Sequence, residues 1–190
     1  MNGLPRAIVL PVALRGDTGD AAERLSGLFD THHERLYRLA RRLAPHADEA
    51  LDLVQETFLK AARAPGAVPA GATNEEAWLV RVLINLRRDQ WRKARVRERH
   101  DRAVGRASGV DDGQEAALIA RATVWRALDR LKPRRRAALV MYELEGLPIP
   151  TIASLLGISA VTVRWHLSMG RRDLACVLKS RIGATDGNRS

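Results

Sequence analysis

The chain has 190 residues, 46% of them apolar and only 4% aromatic, which suits a helical core of Leu, Ala and Val in one medium domain or two small ones. Its formal net charge of +10 favours an anionic partner, nucleic acid first, and on charge alone a membrane surface or an acidic protein stays open. A single cysteine, Cys176, excludes an internal disulfide, and no apolar run approaches the ~18 residues of a membrane span.

Residues 1–19 read as a variable tail; AIVLPVAL is short, interrupted by Pro11 and poorly suited to a signal peptide. From Glu23 the pattern turns helical. Leu25, Leu28, Phe29, Leu36, Leu39, Ala40 and Leu43 recur at three- and four-residue steps until Pro45 ends the run. DEALDLVQETFLKAAR predicts a second helix, with Asp48 and Glu49 at its positive end and Leu51, Val54, Phe58, Leu59 and Ala62 as its buried stripe. APGAVPAGATN is a loop, and Thr73 or Asn74 can cap the helix that follows. That helix runs from about Glu75 into RKARVRERH. The glycines and aspartates of AVGRASGVDDGQ then break all periodicity, as an interdomain linker does.

Beyond the linker, AALIARATVWRALDRL places Leu118, Ala122, Trp125 and Leu128 on one helix face. Pro133 opens the next helix, which stops at Gly146. Cys176 falls on the last helix, as a small core residue. No useful strand alternation and no repeat occurs, so the chain reads as all-α, two small helical domains joined by a flexible linker. The assigned boundaries are 1–19 tail, 20–100 first domain, 101–115 linker, 116–182 second domain and 183–190 tail.

Two stretches carry chemistry. In TIASLLGISAVTVRWHLSMG, Gly157 suits a left-handed turn and Ser159 an immediate new cap, the pattern of a helix-turn-helix rather than an ordinary helical hairpin. Ile152, Leu156, Ile158, Val163 and Leu167 supply its shared core, while Arg164, Trp165, Ser168 and Arg172 face outward. Arg164 can reach guanine or phosphate; Trp165 can meet a sugar, a thymine methyl or a partner protein. In EEAWLVRVLINLRRDQWRKARVR, the residues Trp78, Arg81, Asn85, Arg88 and Arg92 share one stripe. From Arg87 to His100 there are seven Lys/Arg against two acids. An indole, an amide and cations along one ridge suit unpaired bases and phosphates, against the plainer alternative of a solvated charged face.

Taken in order, DLVQETFLKAAR, AWLVRVLINLRRDQWRK and LKPRRRAALVMYELEGLPIPTIASLLGISAVTVRWHL resemble the bacterial RNA polymerase sigma factors of the extracytoplasmic-function group, over about residues 25–178. The resemblance implies two helical domains, regions 2 and 4, the second ending in the helix-turn-helix. It implies that Asp52, Leu53, Gln55 and Glu56 dock on the β′ clamp helices of core polymerase. It implies that Trp78, Arg81, Asn85, Arg88 and Arg92 engage the opened −10 element, and that Arg164, Trp165, His166, Ser168 and Arg171 read the −35 element. The implied partners are core RNA polymerase (β′ clamp helices and β flap), promoter DNA and an anti-sigma protein. The implied place is the cytoplasm, at the nucleoid, with no membrane insertion, no enzymatic activity, no cofactor and no metal.

The chain departs from that pattern in places. The loop APGAVPAGATN lacks the aromatics that many relatives carry. In the reading helix Trp165 replaces a small residue, and His166 and Met169 replace arginine; in the helix before it Thr151 replaces the glutamate common before Ile-Ala. These changes leave open a shifted promoter preference or an exposed face that meets protein. A stand-alone helix-turn-helix regulator is the rival reading, and a sigma-like interaction module without promoter binding is the other. His32 and His33 are adjacent, not four apart, so they cannot share a helix face as paired metal ligands.

Overall fold

Strong helix formers and i, i+3/i+4 apolar spacing build a first set of three helices, α1 (Ala13–Leu43), α2 (Ala47–Arg63) and α3 (Ala72–Ala103). The computed structural model describes residues 13–103, 124–125 and 127–186, and among them there is no strand. The linker's core and the helix face assigned to Leu118 and Ala122 lie outside these residues. Helix α1 starts at Ala13 and takes in the last seven residues of the expected tail. Once nucleated, a helix gains one hydrogen bond per added residue, and that outweighs the cost of Gly16 and Gly19. Pro45 stops it, and α2 begins two residues later. Helix α3 is capped by neither Thr73 nor Asn74. The Gly71 carbonyl accepts from the Asn74 and Glu75 amides at 2.9 Å each, and the Asn74 side chain donates instead to the Ala70 carbonyl at 3.1 Å. At its far end α3 runs three residues past the expected domain boundary, to Ala103.

The second set is α4 (Pro133–Leu139), continued by a wider π-type turn through Val140–Leu144, then α5 (Ile149–Leu156) and α6 (Ala160–Asp186). Pro133 occupies the first turn of α4, where a missing N–H costs nothing. Helix α3 is the spine of the whole arrangement, packed on α1 and α2 and on α4 and α5. Leu79, Val80, Leu83 and Ile84 are buried along it. The two helical sets therefore share one continuous core, from Leu28 and Leu36 through Leu83 to Met141, Ile152 and Val163.

Polar groups tie the two sets at the end of α1. The last carbonyls of a helix lack intrahelical partners. Here the Arg42 carbonyl accepts from Arg136 Nε at 2.8 Å and the Leu43 carbonyl from Arg87 Nε at 2.9 Å. Both guanidiniums are buried, and a cation there complements the negative end of the α1 dipole. Glu145, beyond α4, bridges back to Arg35 (2.8 Å) and Arg42 (3.3 Å) on α1.

Candidate nucleic-acid and polymerase interfaces

Helices α5 and α6 meet at 100°, inside the range of helix-turn-helix motifs. Gly157 makes the turn in the left-handed region (φ 64°, ψ 40°). Its amide donates to Ser154, and the Ile158 amide donates to the Ala153 carbonyl at 3.1 Å, which satisfies the end of α5 in a Schellman arrangement. Ser159 Oγ then accepts from the Thr162 amide at 3.1 Å and starts α6. Ile152, Leu156, Val163 and Leu167 close the shared core. Arg164, Trp165, Ser168 and Arg172 lie exposed on the far side, with Val161 beside them. The Arg135 guanidinium sits 5.2 Å from the Trp165 ring centroid and is held by the Asp173 carboxylate. Arg171 is exposed but engaged, donating through Nε and Nη2 to Glu143 at 3.0 and 2.7 Å. That hydrogen bond, with the adjacent carboxylate charge, raises its pKa above the usual arginine value.

On α3 the stripe Trp78, Arg81, Asn85, Arg88 is half-buried, and Arg92 at its end is exposed. Arg81 lies against the turn of the helix-turn-helix: a Cβ on Gly157 would stand 2.9 Å from Arg81 Cδ. Arg88 has its Nε shielded from solvent, 3.5 Å from Asp89 and without hydrogen-bond alignment. Further along, Trp91, Arg92 and Arg95 face Arg130, Lys132 and Arg135 across an open cleft of about 540 Å³. Asp173, the one carboxylate among the described residues that line it, is paired with Arg135, and the described lining is strongly cationic. Arg95 stacks over the Trp91 ring at 5.0 Å.

A third surface is apolar. Between α1 and α2, Phe29, His33, Leu51, Gln55 and Leu59 line an open groove of about 650 Å³. Phe29 stacks on His33 (4.4 Å) and tilts against Phe58 (4.9 Å). Asp52 and Gln55 stand exposed along the same helix, with Glu56 half-exposed.

Comparison with known proteins matches residues 28–97 to Sigma-70 region 2 and residues 121–174 to Sigma-70, region 4. The chain is 34% identical over 176 residues to the ECF RNA polymerase sigma factor SigE of Mycolicibacterium smegmatis, covering 88% of this chain and 67% of that one. It is 32% identical over 173 residues to SigL of Mycobacterium tuberculosis, covering 90% and 97%. Among solved structures, the sigma factor RpoE in complex with the anti-sigma factor NepR, from Bartonella quintana, is similar at a TM-score of 0.54 and 27% identity, over 84% of this chain and 97% of that one. The chain belongs to the ECF RNA polymerase sigma factors.

As a sigma factor it directs promoter-specific transcription initiation. The first matched region lies within α1–α3, the second takes in α4, α5 and the first half of α6, and the all-α reading of the sequence holds. Individual side chains of this sigma factor part from the sequence reading. Leu53, placed with the polymerase contacts, is wholly buried, whereas Leu51 (41%), Leu59 (46%) and Ala62, expected in the buried stripe of α2, are exposed. The apolar residues of α2 cover more than one stripe, so periodicity alone left its rotation open. His166, placed with the −35 contacts, turns inward beside Val163 and Leu167, with Nδ1 buried and without a hydrogen bond. Arg87, counted in the cationic run, is an internal anchor. Cys176 is exposed, not core. The reading singled out neither Val161 nor Arg136, and it counted Phe29, which is 43% exposed, in the apolar run of the first helix. The i, i+4 spacing of Val161 to Trp165 was the available signal for the first; nothing local marks Arg136 among three consecutive arginines.

Proposed function

We propose that this sigma factor binds core RNA polymerase through α2, recognises the −10 element with α3 and the −35 element with α6, and assists strand opening. Asp52, Gln55 and Glu56, with Leu51 and Leu59 beside them, offer polymerase a polar rim around an apolar groove, the usual anatomy of a protein interface. Trp78, Arg81, Asn85, Arg88 and Arg92 form the surface for the opened −10 strand: the indole stacks a base, the amide bonds a base edge, and the guanidiniums hold phosphates. Opening needs no active site. Binding of an unstacked base and the single strand offsets unstacking, which costs a few kcal/mol per step. Arg164, Trp165 and Ser168 face the −35 major groove, with Arg171 beside them once it exchanges Glu143 for phosphate.

Arg81 lies against the helix-turn-helix turn at Gly157, so its use in strand capture requires α5 to move off α3. An anti-sigma protein is the expected regulatory partner, because the similar RpoE was solved with one. The protein works in the cytoplasm at the nucleoid. The observation that carries this reading is the 100° helix-turn-helix whose second helix leaves Arg164, Trp165, Ser168 and Arg172 exposed on a chain of net charge +10. Run-off transcription with purified core polymerase over a genomic promoter library tests it. Initiation at a defined set of promoters, dependent on this protein, is expected. A folded protein that directs none would overturn the reading in favour of a pure interaction module.

A further inference from the structure

We propose that Val161 and Trp165 together read the methyl groups of two nearby thymines in the DNA element that α6 binds, an inference that rests on the −35 reading above. Val161 is 70% exposed and Trp165 50% exposed. They stand four residues apart, hence one above the other on the outward face of α6. The core of the motif does not need them, because Val163 and Leu167 already fill it. Two apolar side chains are thus presented on the face that a helix-turn-helix inserts into the major groove, in the first turns, where base edges are contacted.

The thymine methyl is the apolar group on the major-groove edges of the base pairs. Valine offers two methyls to it and the indole a flat apolar edge. The indole Nε1–H can also donate to a neighbouring base acceptor. Trp165 is held ready for this. Arg135 covers one ring face at 5.2 Å and is itself fixed by Asp173 on the same helix, while the His166 ring lies 5.0 Å away, tilted at 59°. A side chain restrained before binding loses less freedom on binding. Residues four apart are separated by about 6 Å along a helix, close to two base steps of about 3.4 Å. The two methyls therefore belong to base pairs one or two steps apart, on either strand. Arg164, adjacent on the same face, fixes register through guanine or phosphate.

The test changes the DNA rather than the protein. Holoenzyme assembled from core polymerase and the full chain is bound to a promoter recovered in the run-off screen. Each thymine of the −35 region is replaced in turn by deoxyuridine, which removes only the methyl. Binding is expected to weaken about fourfold at each of two positions one or two steps apart. Val161→Ala should abolish the penalty at one position and Trp165→Ala at the other, while assembly with polymerase is unchanged. Specific binding that is indifferent to deoxyuridine at every position would overturn the inference and leave the −35 reading standing. Absence of any sequence preference in the −35 region would remove that reading, and the inference with it. Weakened affinity for core polymerase in both variants, with the deoxyuridine penalties unchanged in the holoenzyme that still assembles, would assign the pair to a protein contact and overturn the inference.

Discussion

Arg87 and Arg136 each reach a terminal carbonyl of α1, and each is desolvated by the contact. Burial lowers both guanidinium pKa values below the ordinary arginine range, against the opposing charges of Glu49 and Asp129 for Arg87 and of Asp129 for Arg136. Arg92 and Arg164 carry the same guanidinium and leave it in solvent. His166 shows the inverse case for a titrating group. Burial lowers its pKa first, and the neighbouring positive charges of Arg134 and Arg135 lower it further. In the unfolded chain it binds a proton below about pH 6.5. The folded protein resists that proton, so this contribution to stability is full above about pH 6.5 and declines as pH falls toward the lowered folded value. Thermal melts between about pH 5 and 7.5 should show His166→Leu losing less stability in acid than the parent; parallel pH profiles would contradict the assignment. Asn85, half-buried on the stripe of α3, is the residue to which the proposed function gives strand capture. Asn85→Ala should reduce open-complex formation by about three- to tenfold, the worth of one or two hydrogen bonds, and leave duplex binding nearly intact. Permanganate footprinting beside gel-shift assays measures both, and equal loss would count against the role.

At the scale of elements, the junction of α5 and α6 depends on two backbone requirements. Gly157 holds a conformation that costs other residues about 1–2 kcal/mol, and the added methyl of Gly157→Ala also drives into Arg81. Ser159→Ala removes the cap of α6 at a cost of about 1 kcal/mol. Chemical denaturation should rank Gly157→Ala as the more damaging of the two; the reverse order would mean that the turn is less constrained than its geometry requires. This junction was legible from residue types, because capping and left-handed turns are local. The rotation of α2 was not. Leu51, Leu53, Val54, Phe58 and Leu59 all read as candidates for burial, and only the positions of α1 and α3 leave Leu51 and Leu59 outside.

For the whole molecule the joint between the two helical sets matters most. Arg136, buried and bonded to the Arg42 carbonyl, Asp129 and the face of Trp125, is its centre. Arg136→Leu should cost about 2–4 kcal/mol, because it strands a carboxylate and a carbonyl together, less than a fully buried pair since Asp129 keeps part of its solvent. Calorimetry should show the variant melting earlier and its second helical set melting separately; an unchanged single transition would place the strength of the joint elsewhere. A fluorophore pair on the exposed faces of α2 and α6 should report larger separation when core polymerase and promoter are added. A constant separation would mean that the packed arrangement itself engages DNA.

The sequence by itself determined the helices, the two regions, the cap and turn of the reading motif and the excess of positive charge, since periodicity, turn chemistry and charge are written in neighbouring residues. Only the tertiary structure decided which arginines anchor and which stay free, which leucines of α2 are outside, that His166 faces inward, and that α3 is shared by both helical sets. Those outcomes depend on which groups distant chain segments bring within a few ångströms, and identical side chains carry no mark of that in their own spacing.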